Sequence, residues 1–258
     1  PLMLSGILQL LFNAVDIIVV GRFTGRQALA AVGSTTALIN MFVNLFIGIS
    51  LGANVLAARF FAAKKEREMS ETVHTAIAFA LASGIGMAFI GVAFARTALE
   101  LMGTPDDVIQ LSALYMRLYF CGMPFFMLYN YGAAILRAIG DTKRPLLFLV
   151  IAGVANVALN LLLVIVFHLG VAGVAIGTII SQMISSILVL RCLCKAEASY
   201  RLHFSKLSIK GVYMKQIFKV GIPAGIQSTV INFSNVLLQS SVNSFGSTAM
   251  AGYTAANN

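Results

Sequence analysis

Acidic side chains are scarce in this sequence. Nine Asp and Glu stand against eighteen Lys and Arg in 258 residues, only 10% of the chain is charged, and there is no tryptophan. So little charge, with 59% apolar residues and a mean hydropathy of +0.90, excludes a water-soluble domain and indicates an integral membrane protein. The three cysteines, Cys121, Cys192 and Cys194, make no disulfide framework, and Cys192-x-Cys194 lacks a second pair with which to hold zinc. His74, His168 and His203 show no metal-ligand spacing. A net charge of +9 would suit nucleic acid if the cations formed one stripe, but they fall in short joints between apolar runs. A retinal-type receptor needs a Schiff-base lysine in its last helix, and no Lys occurs between Gly221 and Asn258.

What is present is a series of long apolar runs. Seven are read, at 2–21, 33–60, 73–97, 109–136, 145–168, 171–194 and 217–245, each near or above the roughly 20 residues that cross a bilayer as a helix. The expected fold is an all-α, polytopic membrane helix bundle. Tight joints such as His168-Leu169-Gly170 make neighbouring helices antiparallel. Pro124 is expected to bend the fourth span. Gly173 and Gly177, like Gly48 and Gly52, have the small-xxx-small spacing of close helix contacts; a dinucleotide fingerprint would need a preceding strand. Lys64 to Glu71 reads as a solvated charged turn. The chain begins at Pro1 already inside an apolar run, which reads as a piece of a longer protein.

Orientation follows from the Lys and Arg bias of cytoplasmic loops. One set of joints holds Arg59, Lys64, Lys65 and Arg67, then Arg137, Lys143 and Arg144, then seven cations from Arg191 to Lys219. The other holds only Arg22, Arg26 and Arg96, with Arg117 placed to snorkel at the outer end of the fourth span. The N-terminus is therefore expected inside, in a cytoplasmic membrane.

Asp16 is the one acidic residue that cannot be assigned to a surface or a loop. A carboxylate inside a lipid-spanning helix costs on the order of 2.5–3.5 kcal/mol on insertion scales, so it must face protein or water. It lies about five residues, or roughly 8 Å, below the outer end of its helix. Asn156 and Asn160, four apart on the fifth span, and Thr178 on the sixth come to similar depth, roughly 10–12 Å for Asn160 and Thr178. A carboxylate, two amide oxygens and a hydroxyl form an oxygen-only set that suits a hard cation such as Na⁺; the same carboxylate can carry H⁺ instead. The plainer reading is that these groups only bond helices together, and the coincidence in depth with Asp16 tips the balance toward a cation site.

Four stretches carry a family resemblance: PLMLSGILQLLFNAVDIIVVGRFTGRQALAAVG at the start, ILRAIGDTKRP at 135–145, NVALNLLLVIVFHLGVAGVAIGTIISQ at 156–182 and KVGIPAGIQ at 219–227. In order and over essentially the whole chain, they resemble the multidrug and toxic compound extrusion (MATE) family. The resemblance implies a twelve-helix transporter of two six-helix lobes that exchanges Na⁺ or H⁺ for cationic or amphiphilic organic compounds. Residues 1–194 would then be the first lobe, 195–216 a cytoplasmic interlobe linker and 217–258 the start of the second lobe. By position, Asp16, Asn156 and Thr178 match the first-lobe cation site of the prokaryotic DinF-like branch. Asn160 stands where many members have a second aspartate, leaving one charge where those members have two. Other members use an acidic residue on the seventh helix, and none lies between Gly221 and Asn258.

Repetition points the same way. Pro1 to Gly21 aligns with Pro223 to Asn243, and GRQALAAVG at 25–33 is echoed by GSTAMAGYT at 246–254, the pattern of parallel halves. A substrate pocket is expected near Asp16, with Gln9 two turns away on its face and Asn40 and Asn44 paired on the second span. Tyr129 and Asn130, which follow Pro124, complete the substrate candidates. By resemblance, Gln9 and Asn130 fall near positions that contact substrate. The 195–216 segment, with Tyr200, Leu202, Phe204, Leu207, Ile209, Val212 and Tyr213 among its cations, reads as lying on anionic lipid. The expected partners are small organic cations or amphiphiles and the bilayer, with no nucleic acid, no catalytic residues and no cofactor beyond the coupling Na⁺ or H⁺; the full-length protein is expected to be a monomer. The alternative is a lipid-linked oligosaccharide flippase of the same broad superfamily. That function wants a cationic cavity for phosphates, for which only Arg117 is a candidate.

Overall fold

A bilayer offers backbone N–H and C=O groups no water, so an uncharged apolar run must satisfy them within its own segment by coiling into a helix. The computed structural model describes residues 2–196 and 199–257; Glu197 and Ala198, within the expected linker, and the two terminal residues lie outside the described residues. The helices are α1 (Leu2–Phe23), α2 (Arg26–Ala62), α3 (Glu66–Leu101), α4 (Asp106–Cys121), α5 (Met123–Ala138), α6 (Lys143–Leu161), α7 (Gly170–Cys194), α8 (Gly211–Asn243) and α9 (Ser247–Asn257). No strand occurs among the described residues, and the fold is the expected all-α bundle.

Five of these helices are individually long and apolar enough to cross a membrane, and α4 with α5 makes a sixth. The seventh expected span does fold as a helix, α8, but it falls short of that test among the described residues. The reason is the polar series Gln227, Thr229, Asn232, Asn235 and Gln239, three of which line a cavity of about 130 Å³ against α2 and α9. Helix ends also reach further than hydropathy suggested. The charged turn expected from Lys64 to Glu71 is only Ala63 to Lys65, with Lys64 at φ 54°; Glu66 already opens α3.

The central helix is α2, which packs against α3, α4, α5, α8 and α9. Its approach to α8 depends on missing side chains. A Cβ on Gly48 would overlap the Gly225 backbone, and one on Gly52 the Ile217 carbonyl; Gly221 and Gly225 reciprocate against Ile49 and Leu45. Such close approach maximises van der Waals contact where lipid supplies no hydrophobic drive. The expected helix contact at Gly173 and Gly177 is present too, against Leu163 and Asn160. On the rim, α1 is the least buried of the spanning helices, with Ile7, Leu11 and Ile18 exposed. It is held to α6 partly by Phe12, whose ring fills the space a Cβ on Gly153 would take.

The fourth span bends as expected: α4 and α5 meet at 46° across Gly122, with Pro124 in the first turn of α5. Proline has no N–H to continue the ladder, and Gly84 of α3 leaves room for it. After Asn160 the helix widens into a π turn, Leu162–Val166, before the His168-Leu169-Gly170 joint.

The internal repeat has a structural counterpart. Gly25 (φ 96°) precedes α2 and Gly246 (φ 87°) precedes α9, both in the left-handed region that favours glycine. The repeat-related positions Gly33 and Thr254 meet face to face, the glycine leaving room for the threonine side chain.

The segment after α7 does not simply lie on lipid. Leu202 is fully enclosed, and Tyr200, Leu207 and Tyr213 pack against the main core. Only Phe204, Ile209 and Val212 of the expected lipid anchors stay exposed. The bundle offers these side chains an apolar seat of its own, which hydropathy alone cannot distinguish from a membrane surface.

Candidate cation and substrate site

Asp16 sits on the rim helix, partly exposed, and faces inward onto a cavity of about 280 Å³ between α1, α2, α4, α6 and α7. The expected partners converge on it. The Asn160 side-chain amide donates to Asp16 Oδ1 and, at 3.3 Å, to Asn156 Oδ1. Asn156 in turn donates to Thr178 Oγ1 at 3.4 Å, and Thr178 donates to the Val174 carbonyl at 3.0 Å. The three helices α1, α6 and α7 are thus joined by one polar chain, which i,i+4 spacing on α6 makes possible.

Two features make this more than helix bonding. Asp16, Asn156 and Thr178 all line the cavity, so their oxygens are open to an occupant. Behind them Asn160 is completely buried, and its Oδ1 has no hydrogen-bond partner among the described residues. An unsatisfied buried acceptor costs about 1–3 kcal/mol, a cost removed when a cation or a proton-bearing group comes within reach. The oxygen fits against α7 only because residue 177 is glycine; a Cβ there would overlap it.

Of the expected substrate residues, Gln9, Asn40 and Asn44 line the same cavity. Tyr129 and Asn130 do not. Tyr129 is buried with its hydroxyl donating to the Pro145 carbonyl at 3.0 Å, and Asn130 bonds the Phe126 carbonyl at 2.8 Å. Phe126, one turn before Asn130 on α5, does line the cavity.

Several lining residues escaped the sequence reading. Tyr115 and Tyr119 of α4, ring centroids 6.2 Å apart, form an aromatic wall, and Asn13, Ser181, Gln182 and Ser185 add polar atoms. The Tyr115/Tyr119 spacing of four was a usable signal, and so was Ser181/Ser185. Among the described residues no Lys or Arg lines the cavity; Arg117 is exposed.

Comparison with known proteins agrees with this architecture. Residues 1–162 match the MatE family model. The chain is 34% identical over its whole length to the probable multidrug resistance protein YoeA of Bacillus subtilis (strain 168), and 30% identical over 99% of its length to YpnP of the same strain. It spans 57% of the length of each. A solved inward-facing multidrug resistance MATE transporter superimposes on 96% of the chain with a TM-score of 0.89 at 24% identity, over 57% of that structure. With most of its length matched by the family model and its full length by these relatives, the chain belongs to the MatE family of membrane transporters.

Proposed function

We propose that this chain is part of a cation-coupled antiporter that exports organic cations or amphiphilic drugs, with Asp16 as the coupling carboxylate. The observation that supports it best is the placement of Asp16: the one carboxylate in the membrane interior opens onto the cavity and is backed by a buried amide with an unsatisfied oxygen. The names of YoeA and YpnP as probable multidrug resistance proteins support the substrate class.

The division of labour follows from the chemistry. Na⁺ or H⁺ neutralises Asp16, with Asn156 and Thr178 as neighbouring oxygen donors. A half-turn of the Asn160 amide exchanges its N–H for Oδ1 at the carboxylate, which suits a bound cation as the N–H suits the empty one. An organic cation competes for the same charge, lying against Tyr115 and Tyr119, whose ring faces attract positive charge by about 0.5–2 kcal/mol, and hydrogen-bonding to Gln9, Asn40 and Asn44. Ion entry therefore expels substrate. Such exchange needs ion and substrate to prefer different states, and the loosely packed α1 is the element whose position changes at least cost.

In this proposal residues 1–194 form the first lobe, 195–216 the linker and 217–258 the beginning of the second lobe, with the N-terminus inside a cytoplasmic membrane and the full-length protein acting as a monomer. The repeated glycine starts of α2 and α9 support the lobes, and the Lys and Arg distribution supports the orientation. A flippase for lipid-linked oligosaccharides fits less well, because no cationic side chain lines the cavity.

The test is drug efflux by full-length protein in proteoliposomes, driven by a Na⁺ or an H⁺ gradient in turn. Native protein is expected to respond to one gradient and Asp16→Asn to neither, with normal insertion. Gradient-driven efflux of native magnitude in Asp16→Asn would overturn the proposal.

A further inference from the structure

A second polar cluster lies far from Asp16 in the chain, where the segment between α7 and α8 crosses the start of α3. His74 of α3 is 3% exposed. Its Nδ1 is 2.6 Å from the Ser70 carbonyl. A carbonyl only accepts, so the ring proton is on Nδ1 and Nε2 is left as a bare acceptor. That acceptor is used: the His203 backbone N–H donates to it at 3.1 Å, and the two imidazoles stack with planes 2° apart and centroids 6.3 Å apart. At the next residue, Thr75 Oγ1 donates to the Ser208 carbonyl at 3.4 Å and accepts from the Lys210 N–H at 3.3 Å, while Lys210 Nζ reaches Glu71 at 2.8 Å. Leu202, 2% exposed, inserts beside them.

We propose that His74 is a proton-operated latch, holding the 199–210 segment on α3 while its ring is neutral and releasing it when Nε2 is protonated. A proton on Nε2 occupies the lone pair that His203 N–H uses, so two donors then face each other where one hydrogen bond stood. The new charge also lies against the His203 ring, whose own charged neighbours on the segment are Arg201 and Lys206. On α3 the nearby Glu71 is already shared by Arg67 and Lys210, and Tyr213 of α8 also bonds to it, so it is not a free counter-charge. His203 is itself held below the ordinary histidine range by desolvation and then by Arg201, Lys206 and His74.

The sign is fixed by linkage. The docked segment requires a neutral His74 and binds fewer protons than the released one, so docking is favoured at high pH. It is lost as pH falls and the ring takes up a second proton. Because this segment joins α7 to α8, its release frees those helices from a shared anchor on α3. None of the residues around Asp16 takes part, so the latch stands or falls independently of the coupling ion.

Hydrogen exchange of the full-length protein in lipid nanodiscs tests it, read as protection of residues 199–210 corrected for intrinsic exchange. Between about pH 8 and about pH 5.5, native protection is expected to fall roughly tenfold, the equivalent of one lost hydrogen bond. His74→Gln, which does not titrate, is expected to abolish the step. His203→Ala keeps the backbone N–H and an exposed position, and is expected to retain the step. Equal native protection at both pH values, a step that persists in His74→Gln, or a step lost in His203→Ala would overturn the proposal.

Discussion

Adding a single methyl group at Gly177 tests whether the amide behind Asp16 belongs to the ion site. The Cβ of Gly177→Ala would overlap Asn160 Oδ1 and lie 3.3 Å from its Cγ. Asn160 is fully buried, so it has no open side into which to retreat. Either α7 moves off α6, at the roughly 1–3 kcal/mol typical of overpacking, or the whole amide is pushed away from Asp16, losing its charge-assisted bond at about 1.5–3 kcal/mol and withdrawing the oxygen a bound ion would use. Each route disturbs the same carboxylate, so the two costs are alternatives and do not add. At about 1.4 kcal/mol per decade, the half-saturating concentration of the coupling ion is expected to rise roughly tenfold to a hundredfold. Gly173→Ala is the control: its Cβ meets Leu163 at 3.2 Å and no site residue, so it stresses the same helix pair and leaves the ion response intact. The assay is drug efflux against ion concentration in proteoliposomes, with thermal stability measured alongside. Native half-saturation in Gly177→Ala, or an equal shift in Gly173→Ala, would refute the reasoning.

Asn160→Asp places a second carboxylate beside Asp16 and is expected to strengthen Na⁺ dependence; an unchanged Na⁺ response would show that residue 160 does not reach the ion. Gly48→Val sets a branched side chain against the Gly225 backbone and is expected to lower thermal stability by about 1–3 kcal/mol or more, seen as a lower melting temperature in detergent, whereas native melting would contradict the α2–α8 contact. Arg96→Ala removes an exposed i,i+4 pair with Glu100 and is expected to change stability by less than about 1 kcal/mol; a large loss would mean that the pair has partners beyond Glu100.

The site was legible in sequence to the extent that it follows from depth and helical spacing. A carboxylate in an apolar run, two asparagines four apart and a threonine at matching depth can be aligned with the 1.5 Å rise of a helix, and the hydrogen-bond chain from Asp16 to Thr178 follows that alignment. The bend at Pro124 was legible because proline lacks a backbone donor. That Tyr129 and Asn130 bond to the Pro145 and Phe126 carbonyls and stay off the cavity was not, since it depends on how α5 packs on its neighbours. Gly177 announced close packing, but that its neighbour is the Asn160 oxygen is a tertiary fact. The contact of His74 with His203 joins residues 129 apart in sequence, and neither carries a local pattern pointing to the other. Docking of Leu202 and Leu207 on the bundle escaped for a related reason: an apolar residue in a polar segment can be buried equally well by lipid or by protein.

Counterflow measures the coupling itself. An organic-cation gradient imposed on proteoliposomes of the full-length protein is expected to drive Na⁺ or H⁺ in the opposite direction, and Asp16→Asn is expected to abolish that ion movement while leaving drug binding measurable. Ion counterflow of native size in the Asp16→Asn protein would contradict the assignment of coupling to this carboxylate.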